Sequence, residues 1–383
     1  RKFLDARPWI CAIDPQSQVQ CWLVSVPGQA PHPTLKSSPR SFQKLPELKD
    51  VVAIDGDSSI ICALERSGAV YCWGKQWPDS QLRLAPERVP LPGPARQLVA
   101  AGAMGCALLA SAEVYCWGAS SCKPDVFHDT GELVVTDPPA KVTVVSDVIQ
   151  LSASGDTRCA LDRRGDVTCW GGTWDEHCGV RCPRAKRVLR NASAIARLCG
   201  IAGKQREVYC WDGRDGGQSG EYDAGPESYC SAVKLRGLKH VKQFAVGSVS
   251  GLALTDEGDV YYWGASHVGG ILDLGNEIQA PDQISVEHAL KHGQLKVEFE
   301  KSKPEVTATT PRERTEYKRY RLAPLRLPHV DGVRGLISSG HYDCLELEQG
   351  GPLCEFVLTR QPFHLEEVWP TVQFDTGRGT PAQ

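Results

Sequence analysis

Excess charge of either sign is missing from this sequence of 383 residues. Its 43 Lys and Arg nearly balance its 46 Asp and Glu, which gives a formal net charge of −3. Binding to phosphates by charge alone needs a basic surface. The composition therefore argues against a nucleic acid as partner.

Long hydrophobic runs are also missing. The longest weakly polar run, residues 98 to 112, is broken by Gly102 and Gly105 and is shorter than the roughly 20 apolar residues of a membrane-spanning helix. We expect no membrane span. The chain starts at Arg1 and has one methionine, Met104, which favours a processed chain whose targeting segment has been removed. A lipid anchor upstream of residue 1 is compatible with that reading.

Catalytic motifs are scarce. The sequence contains neither a Gly-x-Ser-x-Gly elbow nor a glycine loop that would cradle phosphate. His288 and His292 lie one helical turn apart, as metal ligands could, but Ala289 stands where His-Glu-x-x-His has its base. Asp212 to Gly216 has the carboxylate rhythm of a calcium loop without the alternate ligands. We predict turns at both places, no catalytic residue, no metal, no cofactor and no enzymatic activity.

Cysteine, in contrast, is abundant, and most of the 16 cysteines form pairs at a fixed interval. Five pairs are ten residues apart and a sixth is eleven apart: Cys11 and Cys21, Cys62 and Cys72, Cys106 and Cys116, Cys159 and Cys169, Cys344 and Cys354, and finally Cys199 and Cys210. Such self-similarity at a fixed spacing indicates a repeat protein.

Each pair frames one phrase, which opens with Cys-Ala-Leu and closes with Val-Tyr-Cys-Trp-Gly or a close variant. Clear copies begin at Cys62, Cys106 and Cys159. Fainter copies lie at residues 11–22, 207–211 and 344–354. One further copy replaces both cysteines together, by Leu252 and Tyr262 at the same interval. The loss of both cysteines together is expected if the two thiols of a pair are bonded to each other. With this copy included, the sequence contains seven units.

Alternation on either side of a glycine turn predicts a β-hairpin in each phrase. In the second unit, folding about Ser67 places Cys62 opposite Cys72, and directly opposed Cβ atoms in an antiparallel pair come within about 4.5–5.5 Å, close to disulfide reach. Each bridge would then stabilise its hairpin by up to about 2.7 kcal/mol in the chain-entropy model. The tryptophan repeated at 22, 73, 117, 170, 211 and 263 is predicted to pack between units.

Two more strands accompany each hairpin. An apolar segment that ends in small residues precedes it, as in residues 51–56, and a fourth strand appears at Val89, Val142, Val188 and Val233. Four strands per unit of about 40–50 residues, repeated seven times, predict an all-β, seven-bladed β-propeller that occupies residues 1–383 as a single domain. The first unit starts almost at its own third strand, so we expect residues 368–374 to complete its blade.

The phrase resembles the regulator of chromosome condensation repeat, in the cysteine-paired form of secreted bacterial proteins. The resemblance covers the chain from Phe3 to about Phe374, and Glu355 departs from it at the tryptophan position of the last copy. It implies a seven-bladed propeller that binds other proteins, and it implies no ligand. Related propellers include a secreted β-lactamase inhibitor, which makes inhibition a narrower version of the same function.

One stretch does not fit the repeat. Second cysteines or their equivalents recur at steps of 41 to 53 residues, but the step from Tyr262 to Cys354 is 92. The surplus, residues 285–326, contains two alternating segments that predict a long hairpin inserted between the sixth and seventh blades. Residues 291–326 carry ten Lys and Arg against five Asp and Glu. We name residues 285–326 the arm and interpret it as a partner-binding element, with a tolerated surface insertion as the alternative.

Four cysteines stand outside the repeat pairs: Cys122, Cys178, Cys182 and Cys230. Together with His177 they could bind zinc. We favour disulfides, because the regular pairs already point to an oxidising compartment. Our preferred pairing joins Cys122 to Cys178 and Cys182 to Cys230, and a local bridge between Cys178 and Cys182 stays open.

The leading hypothesis is an extracellular or periplasmic protein, secreted or at the cell surface, that holds another protein on one propeller face. Predicted contact residues are those that open the hairpins and those of the arm: Trp9, Ser59, Met104, Arg158, His341, Tyr342, Phe299, Tyr317, Arg319 and Tyr320. Aromatic and Arg side chains are natural anchors for a protein partner. The alternatives are a carbohydrate-binding propeller and an enzyme whose central channel uses Asp57, Asp156 and His341.

Overall fold

A computed structural model describes most of the repeat region of the chain. The described residues are 3–6, 9–14, 16–23, 42–45, 47–57, 59–76, 81–102, 104–118, 139–155, 157–171, 185–211, 221–222, 232–247, 250–264, 295–298, 319–322, 324–327, 332–339, 342–348, 352–356 and 362–364. Within them the regular structure is all strand, which confirms the all-β prediction.

Seven antiparallel sheets of four strands each follow one another along the chain, numbered here as blades 1 to 7. Blades 1 to 3 comprise β1 (Phe3–Ala6), β2 (Trp9–Ile13), β3 (Val19–Leu23), β4 (Phe42–Lys44); β5 (Val51–Gly56), β6 (Ile60–Glu65), β7 (Val70–Gln76), β8 (Gln81–Arg88); and β9 (Ala95–Ala101), β10 (Met104–Leu109), β11 (Val114–Gly118), β12 (Ala140–Lys141). Blades 4 and 5 comprise β13 (Val148–Ser154), β14 (Thr157–Asp162), β15 (Val167–Gly171), β16 (Lys186–Leu189); and β17 (Ala192–Ala196), β18 (Cys199–Ala202), β19 (Glu207–Cys210), β21 (Val233–Lys234). Blades 6 and 7 comprise β22 (Val241–Val246), β23 (Ser250–Thr255), β24 (Val260–Gly264), β27 (Leu325–Arg326); and β28 (Val333–Ser339), β29 (Tyr342–Leu347), β30 (Pro352–Phe356), β31 (Pro362–His364).

In blades 2, 3, 4 and 6, the hairpin turn between the second and third strands contains one left-handed residue. Gly68, Gly165 and Gly258 have φ of +86°, +85° and +89° at this place, a conformation that glycine adopts at no steric cost. Blade 3 uses Ala112 there with φ +65°. The predicted glycine turn is therefore confirmed, and it fixes which residues oppose each other.

The strand register places paired cysteines directly opposite each other. Disulfides join Cys11 to Cys21, Cys62 to Cys72, Cys106 to Cys116, Cys159 to Cys169 and Cys199 to Cys210, with Cα atoms 4.0 to 4.1 Å apart. Cys344 is also disulfide-bonded and opposes Cys354 in the register. Leu252 and Tyr262 hold the same register positions in blade 6. Cys122, Cys178, Cys182 and Cys230 lie outside the described residues.

The first strands of the blades contact one another in a ring. Contacts run from β1 through β5, β9, β13, β17 and β22 to β28, and β28 contacts β1. This order is that of a seven-bladed propeller around a central axis. The seven-bladed prediction is thus confirmed in the described residues.

Blade 1 corrects one expectation about the ends of the chain. All four of its strands come from residues 3–44, in the order β1, β2, β3, β4. The prediction that blade 1 needs a strand from the C-terminus is wrong, because β4 follows the 24–41 connection and supplies the missing edge. Residues 368–374 lie outside the described residues.

The repeated tryptophans are core residues. Trp73, Trp117, Trp170, Trp211 and Trp263 are all buried, as predicted, while the side chain of Trp22 is outside the described part. In blade 3 Trp117 lies directly opposite Gly105 in the register. A Cβ on Gly105 would lie 2.5 Å from Cε2 of that indole, so this glycine makes room for the ring.

The insertion forms the predicted hairpin and adds a strand from elsewhere. β25 (Leu295–Glu298) pairs with β26 (Arg319–Leu322), and β26 also pairs with β20 (Glu221–Tyr222) of the connection that follows β19. We call these three strands the arm sheet. The insertion lies inside blade 6, between β24 and β27, and residues 325 and 326 belong to the blade itself.

Candidate partner-binding face

The antiparallel order of each blade divides its connections between two ends. The turn from first to second strand and the connection from third to fourth strand lie at one end, which we call the loop face. The turn from second to third strand and the link to the next blade lie at the other end, which we call the turn face. These assignments follow from strand order alone.

Hydrogen bonds between blades show that neighbouring first strands run in the same direction. Oδ2 of Asp55 accepts from N of Ala100 at 3.0 Å, and farther along both strands Oδ2 of Asp57 accepts from N of Gly102. Between blades 3 and 4, the side chains of Arg96 and Gln97 donate to O of Val148 and O of Leu151. Between blades 4 and 5, the side chains of Gln150 and Ser152 donate to O of Ile195 and O of Arg197. The loop-face ends of blades 2 to 5 therefore point the same way.

The long connections all begin and end at the loop face. They are residues 24–41, 119–139, 172–185, 211–232 and 265–324. Links at the turn face are shorter and comprise residues 45–50, 89–94, 142–147, 190–191, 235–240 and 327–332. By chain position, the arm and the four cysteines outside the repeat pairs belong to loop-face connections, so the unusual parts of this sequence share one face.

The predicted contact residues of the blades also belong to this face. Ser59, Met104 and Arg158 stand where the first-to-second turn ends. Trp9 and Tyr342 begin the second strands of blades 1 and 7, where only their backbone is described, and His341 lies outside the described residues. Of the arm residues, Arg319 and Tyr320 are in β26, while Phe299 and Tyr317 are outside.

A short carboxylate-centred turn presents Ser59. Oδ1 of Asp57 accepts from N of Ser59 at 2.8 Å and from N of Ile60 at 3.3 Å, while its other oxygen bonds Gly102 of blade 3. Asp57 thus fixes this turn and joins two blades. Both oxygens of this carboxylate accept hydrogen bonds, which is a structural use of a residue that the enzyme alternative needed for catalysis. The other two residues of that alternative, Asp156 and His341, lie outside the described residues.

Arg158 lies beneath the face rather than on it. The residue is 1% exposed, and its guanidinium donates to O of Ala101 at 2.6 Å and to O of Met104 at 3.2 Å in blade 3, and to O of Gly155 at 2.7 Å in its own blade. Met104 is also buried. The structure therefore corrects the view of both residues as exposed anchors: they hold the turns of blades 3 and 4 together.

Sequence reasoning missed the glutamines that join the first strands. Gln97 donates to O of Leu151 at 2.9 Å and accepts from N of the same residue at 2.8 Å, and Gln150 makes the same two bonds to Ile195. Such a bond pair satisfies the backbone groups of the neighbouring strand. A signal existed, because Gln recurs at the third position of the first strand at 97, 150 and 243.

The described residues contain neither a cluster of metal ligands nor a membrane-spanning helix. No group of three His, Cys, Asp or Glu in this part of the chain could hold a metal ion. His288, His292 and the stretch from Asp212 to Gly216 lie outside the part that the structure describes, as does His177. No helix in the described segments is long and apolar enough to cross a membrane.

The turn face carries ion pairs and capped turns. Burial raises the pKa of Asp162, but hydrogen bonds from N of Asp166 and from the side chain and N of Arg164 outweigh it and hold the pKa below its ordinary value. At another blade, the hydrogen bond from Lys234 lowers the pKa of Glu207. These groups stabilise the tight turns, and their hydrogen-bonding capacity is used within the protein.

Removing the Asp162 carboxylate should weaken the fold in a pH-dependent way. Its oxygens accept from N of Arg164 at 2.9 Å and from N of Asp166 at 3.0 Å, so Asp162→Ala should cost about 1–2 kcal/mol of unfolding free energy at pH 7. Because the folded pKa is depressed, this contribution is present above the unfolded pKa of about 3.9 and is lost as the pH falls through the folded value.

Denaturant unfolding of the parent protein and of Asp162→Ala, from pH 7 to about pH 2.5, checks this prediction. The difference in unfolding free energy should shrink as the pH falls below about 4. Arg187→Ala, which removes an exposed ion pair with Asp166, should cost less than about 1 kcal/mol. A constant difference for Asp162→Ala across the pH range would contradict the role of the ionised carboxylate.

Comparison with known proteins shows the same fold. No family model matches the chain. A crystal structure of yeast RCC1 (Prp20) with Kap60 is 18% identical, covers 82% of this chain and 72% of that chain, and has a TM-score of 0.55. A structure of Prp20p from Saccharomyces cerevisiae, whose description includes binding to Gsp1p and histones, is 19% identical over 82% and 75% of the two chains, with a TM-score of 0.55. The chain has an RCC1-like β-propeller fold.

Proposed function

We propose that this protein is an extracellular or periplasmic binding propeller, without catalytic activity of its own, that holds another protein on its loop face. The observation that carries the proposal is the difference in connection length between the two faces, because the long connections belong to the loop face and the short links to the turn face. The connections that exceed the repeat, including the arm, all belong to the loop face. Loops held on a rigid sheet scaffold are where binding residues concentrate.

Rigidity beneath the face supports this proposal. Asp57 and Arg158 join neighbouring blades directly under the turns that would meet a partner. A face whose turns are fixed before binding loses less conformational entropy when the complex forms. The yeast propellers of similar fold, one in complex with Kap60 and one described as binding Gsp1p and histones, are examples of protein binding on such a scaffold.

Cysteine chemistry supports the proposed location. The hairpin disulfides are buried and short-range, and no cysteine in the described residues is free. Disulfides of this number persist in oxidising compartments and are rare in the cytosol. An interaction scaffold, an adhesion component and an inhibitor of a secreted enzyme all fall within this function.

Affinity capture from the native extracellular material tests the proposal. The bait is the intact protein, compared with a variant that lacks residues 287–322 and with two point variants that each add one positive charge. Ser59→Arg alters the loop face at a half-exposed position, and Gln205→Arg is the matched change at an exposed turn-face position. We expect the partner retained by the intact protein to be retained by Gln205→Arg and to be lost or at least tenfold weaker with Ser59→Arg.

The deletion variant separates the arm from the blades. Loss of capture with residues 287–322 removed, while Ser59→Arg still binds, assigns the partner to the arm; loss with both assigns it to the whole loop face. Equal capture by all variants, or loss with Gln205→Arg alone, would contradict the loop-face proposal. If nothing is retained and a broad substrate screen finds turnover, an enzyme with a central-channel site replaces a binding protein.

A further inference from the structure

The arm sheet presents an edge that no described strand covers. Its order is β20, β26, β25, so β25 pairs with β26 on one side only. The register places Lys296 opposite Arg321 and Val297 opposite Tyr320. Within the described residues, the outer edge of β25 pairs with no strand, and an unpaired edge offers backbone donors and acceptors to a further strand.

The outer edges of the blades are less suited to pairing. β12, β21 and β27 have two residues each, and β4 and β31 have three. β8 is long but contains Pro86, which lacks an N–H group, and β16 begins with two like charges, Lys186 and Arg187. Very short strands, proline and repeated charge are the devices by which proteins protect sheet edges. β25 has four residues, contains no proline and carries one charge of each sign, Lys296 and Glu298.

We propose that β25 pairs with β25 of a second copy of this chain, in an antiparallel arrangement centred on Val297. In that register Lys296 of each copy lies opposite Glu298 of the other, so the pairing creates two opposite-charge cross-strand pairs related by a twofold axis. The sequence of Leu295–Glu298 alternates opposite charges in a way that complements itself. Self-association through β25 does not require the function proposed for the loop face.

The faces of the arm sheet agree with this arrangement. By alternation, Leu295 and Val297 occupy one face of β25, and Leu322 and Tyr320 occupy the register positions beside them on β26. Tyr222 of β20 continues the same row. Pairing of two β25 strands would extend this apolar row across a six-stranded sheet, and the charged row would lie on the opposite side.

Charge reversal with rescue tests the proposal on the full-length protein. Sedimentation velocity over a range of concentrations measures the dimer dissociation constant of the parent protein, K296E, E298K and the double variant K296E/E298K. Either single reversal places like charges opposite each other twice, so each should raise the dissociation constant about tenfold or more. The double variant restores opposite charges at both places and should recover the parent value within about threefold.

Within one copy, the two single variants have opposite effects on the charge pairs between β25 and β26. A folding defect of the arm would therefore not be expected from both variants. Lys296 opposes Arg321 and Glu298 opposes Arg319, so K296E improves the pairing inside the arm and E298K worsens it. Loss of the dimer with both variants therefore cannot come from the stability of the arm.

Cross-linking supplies a second readout. Two Val297 residues face each other across the proposed axis, so Val297→Cys should form a disulfide-linked dimer under mild oxidation, whereas Lys296→Cys, which faces residue 298, should not. A parent protein that stays monomeric at high micromolar concentration would overturn the proposal, as would a dimer that resists both reversals or one that the double variant fails to restore. Amide protection of residues 295–298 by an added peptide, without a dimer, would likewise overturn it in favour of a partner strand.

Discussion

Gly105→Ala is expected to destabilise the protein by about 2–3 kcal/mol, although it adds a single methyl group. The new Cβ would lie 2.5 Å from Cε2 and from Cζ2 of Trp117, and the indole is 2% exposed. A ring packed on all sides moves only by displacing its neighbours, and such overpacking of a core typically costs about 1–3 kcal/mol. The same geometry recurs in blade 6, where a Cβ on Gly251 would collide with Trp263.

Chemical denaturation measures this effect, and the chain offers a matched control. A Cβ on Gly93 would meet only Cδ1 of Leu109 at 3.8 Å, so Gly93→Ala should change the unfolding free energy by less than about 0.5 kcal/mol. Combining Gly105→Ala with Trp117→Leu should cost less than the sum of the two single changes, because removal of the ring removes the collision. Additive losses would contradict the account of the Trp–Gly pairs.

Loss of one hairpin disulfide is the second large effect. Replacing both Cys62 and Cys72 by alanine should lower the unfolding free energy by about 2–3 kcal/mol, because an open loop of about ten residues gains conformational entropy in the unfolded chain. The single change Cys62→Ala removes the whole bridge as well. It should therefore cost nearly as much as the double change, which adds only the loss of one buried sulfur.

Denaturant unfolding of the two single variants and the double variant checks this expectation. Non-reducing peptide mapping of the parent protein should show residues 62 and 72 joined. Two single losses that add up to the double loss would contradict a bond between these two residues, and so would retention of full stability in the double variant.

Much of the fold could be predicted because the signals are local. The turn glycines, the ten-residue cysteine interval and the Trp-Gly ending repeat within one hairpin, so a single unit contains its own register. The joint replacement by Leu252 and Tyr262 even indicated the cross-strand pairing, which the structure confirms. Seven copies of one hairpin then imply the propeller.

The elements that escaped prediction lack such a local signal. β27 consists of Leu325 and Arg326 alone, which is too short for alternation to be visible. The sequence pattern therefore places the arm at the boundary between two units rather than in the interior of blade 6. β4 follows a connection of 18 residues, 24–41, rich in proline and serine, and this separation made blade 1 look one strand short. Short edge strands form because they pair with a neighbouring strand, and they are too short to show an alternating pattern in the sequence.

The candidate site likewise has features that the sequence predicts and features that it does not. Counting strand ends along the repeat places Ser59 and the long connections on one face, which needs no side-chain information. Burial of Arg158 could not be predicted, because the carbonyl groups of Ala101 and Met104 that accept from it belong to another blade. An arginine beside a turn is expected to be exposed, and only the packing of two blades reverses that expectation.

Hydrogen exchange on the complex between this protein and its captured partner tests the central claim most directly. The account predicts that partner binding slows exchange at loop-face residues around 57–60 and 155–158, and leaves the turn-face residues 66–69, 163–166 and 203–206 unchanged. Slower exchange confined to the turn-face residues would contradict the proposal that the loop face holds the partner.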